Sequence, residues 1–176
     1  SEVIKLASNE NPLGTSPKAL EAIRRAAGRV NLYPDGKSAV LGAALARRFG
    51  VQPNQVAVGN GADGLLMELC MAYLDEDSEV LVSRSSFPMY DVFSNVMRAN
   101  LVKTPLKDYG LDLQAMTGAI NERTRLVFVC NPNNPTGTVF GAAEVKAFVR
   151  DVPGHVILVF DEAYYEYASS PDFPDT

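Results

Sequence analysis

Apolar residues recur along this chain with two periods, and the two alternate. Ser16-Pro17 reads as a helix start, a capping hydroxyl followed by proline at the first helical position, with Leu20, Ile23 and Ala27 on one face. Asn31–Gly36 is turn-like. Ser38 opens a second helix with Leu41, Ala44, Leu45 and Phe49 on its apolar side, and Gly50 stops it. From Gln55 onward the pattern becomes strand, loop, helix, repeated. It predicts strands at Val56–Val58, Glu79–Ser83, Leu101–Thr104, Arg125–Cys130 and Val156–Asp161. Helices are predicted over Ala62–Leu74, Met89–Arg98, Leu113–Ile120 and Ala142–Arg150. Leu126–Val129 is apolar at every position, as a strand must be when helices cover both faces of a parallel sheet. The fold class is therefore α/β, a three-layer sandwich around a mainly parallel sheet with right-handed crossovers.

Composition narrows the function classes. Sixteen Lys and Arg against 21 Asp and Glu leave a net charge of −5 over 176 residues. Nucleic acid, which calls for basic clusters, is not an expected partner. No apolar run approaches the roughly 20 residues that cross a bilayer, so no membrane contact is expected. Ser1-Glu2-Val3 shows neither the basic region nor the apolar core of a secretion signal, and with two cysteines a cytoplasmic, reducing setting is the default expectation. Cys70 and Cys130 form no disulfide framework or metal cluster. His155 is the only histidine and begins the last strand, which leaves no His-rich metal site or Ser-His-Asp triad.

In an open parallel sheet, ligands bind outside the carboxyl ends of the strands. Four strand-end loops are unusual together. In Gly59-Asn60-Gly61-Ala62-Asp63-Gly64, glycines permit a sharp turn and the following helix offers free N–H groups to an anion, although Asp63 could equally cap that helix. In Ser85-Ser86-Phe87-Pro88-Met89-Tyr90, Tyr90 can stack on a flat ring or serve as core. Cys130-Asn131-Pro132-Asn133-Asn134-Pro135-Thr136-Gly137 combines rigidity with donors and acceptors, and ordinary turn chemistry is its alternative. Asp161-Glu162-Ala163-Tyr164-Tyr165 ends an apolar strand in a carboxylate, which must be compensated by a cation or several donors. Asp161 is thus a candidate to hold a protonated nitrogen, or a helix cap or structural ion pair.

These loops, in this order, resemble the fold type I pyridoxal-phosphate aminotransferases. The resemblance rests on Asn-Pro-x-Asn-Pro-Thr-Gly, with Asp-Glu-Ala-Tyr beginning 27 residues after Asn134. Asn9-Glu10-Asn11-Pro12-Leu13-Gly14 and Tyr33-Pro34-Asp35 are most similar to the histidinol-phosphate branch of that family. The resemblance covers essentially the whole chain and implies pyridoxal 5′-phosphate as cofactor. It implies that the amides of Ala62 and Asp63 bind its phosphate, Tyr90 stacks on its ring, and Asn134 and Tyr164 hydrogen-bond its phenolic oxygen. Asp161 would pair with the pyridinium nitrogen, Tyr33 would reach the cofactor phosphate of a partner in a homodimer, and Asn11 would line the substrate pocket.

By the same resemblance, residues 1–30 form an N-terminal arm and first helix belonging to a small domain, and 31–176 an incomplete cofactor-binding large domain. The implied reaction passes an amino group from a small-molecule donor to a 2-oxo acid acceptor. The sequence departs from the family at Gly64, where Glu is frequent, and in its lysines. None of Lys5, Lys18, Lys37, Lys103, Lys107 and Lys146 has the context of the Schiff-base lysine, which is expected beyond Thr176. No catalytic residue and no metal ligand is therefore assigned within the chain. It would be the N-terminal half of an enzyme, and alone would associate through uncovered strand edges and helix faces. Aromatic aminotransferases, threonine-phosphate decarboxylases and a non-catalytic cofactor-binding or dimerisation module share these motifs. An unrelated flavodoxin-like nucleotide binder would lack both the Asn134 and the Asp161 motifs.

Overall fold

A computed structural model describes residues 3–174 and 176. It divides into two compact units, Ser1–Val56 and Ala57–Thr176.

The first unit carries helices α1 (Pro17–Ala26) and α2 (Ala39–Phe49) and two short 3-10 turns, Ala27–Arg29 and Pro53–Gln55. Both helices begin where the sequence places them, but their caps differ from expectation. The Ser16 hydroxyl makes no cap bond, and Pro17 alone marks the start. Ser38 sits in the left-handed region at φ 47°, and its side chain caps nothing. Asp35 caps α2 in its place, its carboxylate accepting from the amides of Ala39 at 2.8 Å and Lys37 at 3.0 Å. Those amides, Ala39 foremost, hold the Asp35 carboxyl below its ordinary value. Gly50 ends α2 at φ 69°, a conformation that favours glycine.

The second unit is built on a sheet of four strands, β1 (Glu79–Ser83), β2 (Asn100–Thr104), β5 (Thr124–Cys130) and β6 (Ile157–Asp161). They lie in the order β2-β1-β5-β6, all neighbours parallel. Helices α3 (Gly61–Tyr73), α4 (Met89–Val96), α5 (Leu113–Ala119) and α6 (Ala142–Asp151) surround it. Between β2 and α5 the chain forms a small antiparallel hairpin that the sequence pattern does not predict, β3 (Leu106–Lys107) with β4 (Gly110–Leu111). Its two-residue strands are too short for alternation to reveal, and its turn residues Asp108 and Tyr109 both have positive φ.

Side chains of the central strands alternate between two cores. Val80, Val82, Leu126, Phe128 and Cys130 pack with Leu66, Cys70 and Leu74 at α3 and Tyr90 of α4. Leu81, Val127 and Val129 pack on the opposite face with Met116 of α5 and Val145 and Phe148 of α6. Every residue of β1 is buried, as the three-layer arrangement requires. Each fully buried Leu or Phe contributes roughly 1.5–3 kcal/mol to that core.

The expected strand at Val56–Val58 does not form, and the sheet has four strands, not five. Val56 is extended, at φ −115° and ψ 122°, but among the described residues no neighbour pairs with this segment to complete a ladder. At the amino edge of the sheet, buried Glu79 receives the side chains of Asn121 at 2.5 Å, Asn100 at 3.1 Å and Arg123. Hydrogen bonding by Asn121 leads the effects that hold its carboxyl below the ordinary value.

Candidate active site

Because β1, β5 and β6 are adjacent and parallel, the loops that follow them share one edge of the sheet. Helix α3 also opens toward that edge. Its carboxyl end lies a short turn before β1 begins, and its 13 residues span about 20 Å, enough to return along a five-residue strand.

Asp161 ends β6 opposite Cys130 of β5. It is 8 % exposed, and its carboxylate is bound by two neutral donors. The Tyr90 hydroxyl donates to Oδ2 at 2.6 Å, and the Ala163 amide donates to Oδ1 at 3.1 Å. No ion pair reaches it among the described residues. A carboxylate removed from water and left without a cation retains a strong affinity for one. Burial, then Cys130 and Asp161, pushes the Tyr90 hydroxyl far above its ordinary pKa, so it remains a proton donor.

Tyr90 is placed differently from a surface for ring stacking. It is 1 % exposed, lies parallel to Phe128 at 4.6 Å between centroids, and meets Phe87 edge-on at 5.6 Å. Buried in this way, its ring has no open face for a second planar group. Phe87, the half-buried aromatic of the same loop, is the one that sequence reasoning passes over. A second aromatic three residues before Tyr90 is the signal that could have found it.

The loop after β5 brings Asn134 to Tyr164, whose hydroxyl accepts from Nδ2 at 3.4 Å. Asn133, singled out in the sequence only as one of three asparagines, is 2 % exposed and ties this loop to the one after β1. Two buried polar atoms lack a hydrogen-bond partner among the described residues, Ser83 Oγ and Asn131 Nδ2. Both sit at the carboxyl ends of β1 and β5.

Ala62 and Asp63 occupy the first turn of α3, where Asn60 provides no side-chain cap. Gly61 adopts φ 68°, which leads the chain sharply into the helix, and a Cβ at Gly59 would meet Leu65 at 2.9 Å. In the first unit, Tyr33 is fully exposed, and the Asn11 side chain accepts from the Leu13 amide at 2.9 Å. His155 lies beside the Asn121 carbonyl at the opposite edge of the sheet from Asp161. Cys70 and Cys130 are free and buried, and burial pushes the Cys70 thiol up to about 11. A groove of about 720 Å³ beside the hairpin, α5 and α6 contains none of the expected site residues.

The family model for aminotransferase class I and II matches residues 1–176, and the chain belongs to that family. It is 49 % identical to a histidinol-phosphate aminotransferase 2 of Pseudomonas fluorescens, over 98 % of this chain and 47 % of that protein. It is 47 % identical to a histidinol-phosphate aminotransferase of Brevibacillus brevis, over 100 % and 48 %. Among solved structures, a histidinol-phosphate aminotransferase from Sinorhizobium meliloti in complex with pyridoxal-5′-phosphate aligns with a TM-score of 0.90 and 34 % identity. That alignment covers 95 % of this chain and 46 % of that one. The aspartate aminotransferase from Rhizobium meliloti, at 23 % identity and a TM-score of 0.82, shares the fold over 97 % of this chain and 46 % of that one. The chain spans about half the length of the curated relatives it matches.

Proposed function

We propose that this member of the class I and II aminotransferases supplies the pyridoxal-phosphate cradle of an enzyme that transfers the amino group of histidinol phosphate to 2-oxoglutarate. The products would be imidazole-acetol phosphate and glutamate, the reverse reaction using the same site. The observation that carries the reading is Asp161, a nearly buried carboxylate held by two neutral donors and paired with no cation among the described residues. That donor set fits a protonated ring nitrogen. The likeness to histidinol-phosphate aminotransferases supports the substrate class.

When bound, pyridoxal phosphate supplies an electron sink for charge developing at the substrate α-carbon. Asp161 holds the proton at the ring nitrogen, and Tyr90 fixes that carboxylate through its hydroxyl. Asn134 and Tyr164 hydrogen-bond the phenolic oxygen. The amides of Ala62 and Asp63 bind the phosphate at the start of α3. Phe87 takes the ring-stacking part that the sequence assigns to Tyr90, since Tyr90 is enclosed by Phe128 and Phe87. Asn11 lines the substrate pocket. Tyr33 reaches the partner's cofactor phosphate in a homodimer, and the two free thiols suit a cytoplasmic setting.

The lysine that carries the cofactor and moves the proton belongs to a part of the protein outside these 176 residues. In the unit that holds Asp161, Lys103 pairs with Asp91, Lys107 lies on the hairpin and Lys146 on α6.

The full-length protein, given pyridoxal phosphate, should show a visible cofactor band that borohydride reduces, and should transaminate histidinol phosphate. Asp161→Asn should keep its fold and lose activity on the order of 10²-fold or more, as expected when a fixed charge opposite developing charge is removed. Full activity in that variant would sink the reading.

A further inference from the structure

Resting on that reading of the site, we propose that Asn133 is a positioning residue that sets the aromatic wall Ser85–Phe87 against the cofactor. Its side chain uses its acceptor and donors across two loops. Ser86 Oγ donates to Asn133 Oδ1 at 2.8 Å, and Asn133 Nδ2 donates to the Ser85 carbonyl at 3.2 Å and to Thr136 Oγ1 at 2.8 Å. Its backbone closes the same loop, the amide donating to the Thr138 carbonyl and the carbonyl accepting from the Gly137 amide.

The segment being held does not rest where a chain prefers. Ser85 lies at φ 53°, a left-handed conformation that costs a non-glycine residue energy and persists when surrounding contacts enforce it. The Asn133 bond falls on the carbonyl of that same residue. Phe87 follows two residues later and packs edge-on against Tyr90, the residue that donates to Asp161. The position of the wall and the direction of the carboxylate therefore pass through one set of contacts.

The chain of donors also has a direction. Thr138 Oγ1 donates to the Tyr109 carbonyl at 3.3 Å, which leaves Thr136 to donate across the 3.0 Å gap to Thr138. Hydroxyl and amide protons thus run from Ser86 through Asn133, Thr136 and Thr138 to the exposed hairpin turn. Each member has one arrangement that satisfies its neighbours, which makes the connection stiff.

The test uses the full-length protein loaded with pyridoxal phosphate, comparing Asn133→Ala, Ser86→Ala and the double variant. Asn133→Ala should retain the borohydride-reducible band but change its induced circular dichroism, because the wall that orients the ring has shifted. Its kcat should fall on the order of tenfold, with KM for the amino donor little changed, the signature of a contact realised in the transition state. Ser86→Ala, a smaller change in a half-buried residue, should shift both readouts in the same direction. The double variant should be no worse than Asn133→Ala, since both break one linkage. Unchanged dichroism and kcat in both single variants, with lowered thermal stability alone, would overturn the proposal. So would losses that add in the double variant. A wild-type protein with no reducible band would overturn this proposal together with the functional reading on which it rests.

Discussion

Helices α1 and α3 are both predicted by the sequence, α1 from Ser16-Pro17 and α3 from a glycine-rich turn, and they reach different ends. Each carries an apolar face, and each begins at or near the residue its sequence marks. In α3, Leu66 and Cys70 are buried against the sheet. In α1, no residue is buried: Leu20 is 41 % exposed and Ile23 61 %. The same contrast runs through the two units, because Val30, Val40, Leu41 and Phe49 of the first are also exposed. An amphipathic pattern states which face a helix offers, and burial depends on whether a complementary surface exists to receive it.

The largest effect is expected at the centre of the covered region. Phe128→Ala in the full-length protein removes a ring packed against Tyr90 and should cost about 3–5 kcal/mol in urea unfolding. A loss below about 1 kcal/mol would mean that the core is far looser than its packing implies. Tyr90→Phe is a finer cut: it keeps that stack and removes only the hydroxyl on Asp161. It should cost about 1–3 kcal/mol by withdrawing one donor from a buried carboxylate. Equal stability of the two proteins would count against the bond.

Glu79 offers a pH-dependent comparison at the opposite edge. Its carboxyl titrates below the ordinary 4.5 in the folded protein, with Asn121 as the leading cause. A depressed carboxyl stabilises the fold above its unfolded value and loses that contribution as pH falls through the folded one. The stability gap between wild type and Glu79→Gln should therefore be full at neutral pH and close as pH drops below about 4.5. A gap that widens in acid would reverse the sign. Last and smallest, Ile23→Ala in α1 should change stability by no more than about 0.5 kcal/mol. A loss above about 1 kcal/mol in the full-length protein would show that its exposed face is covered there.

The two regions also differ in how far their structure can be read in advance. Strand β1 is legible to the residue, because an apolar run between turn signals has few other uses in a doubly covered sheet. Val56–Val58 has equal strand character but no ladder beside it, and pairing is not a property of one segment. The caps mislead for a related reason. Ser16 and Ser38 have the right chemistry, whereas Asp35 has the right reach. Around the site, Asp161 stands out because a charge ending an apolar strand is costly. Asn134 is singled out by its motif, and its neighbour Asn133 is obscured by sharing the same side chain. What Tyr90 touches cannot be read from spacing, since a ring one turn into a helix can face either a crevice or a core.

Every ladder of the main sheet is parallel, so none can grow from a local hairpin. Joining Glu79 to Asn100 closes a loop about half as long as joining Glu79 to Thr124, and each doubling adds only ~0.6 kcal/mol of closure entropy. Chain entropy thus favours pairing β1 with β2 first, then β5 with β6, whose Leu126-to-Ile157 loop is shorter than the one that joins β1 to β5. Asp161 rides on β6, the last strand in chain order. A ribosome must release nearly the whole of this chain before Tyr90 can find its acceptor, and until then its hydroxyl has no such carboxylate to meet.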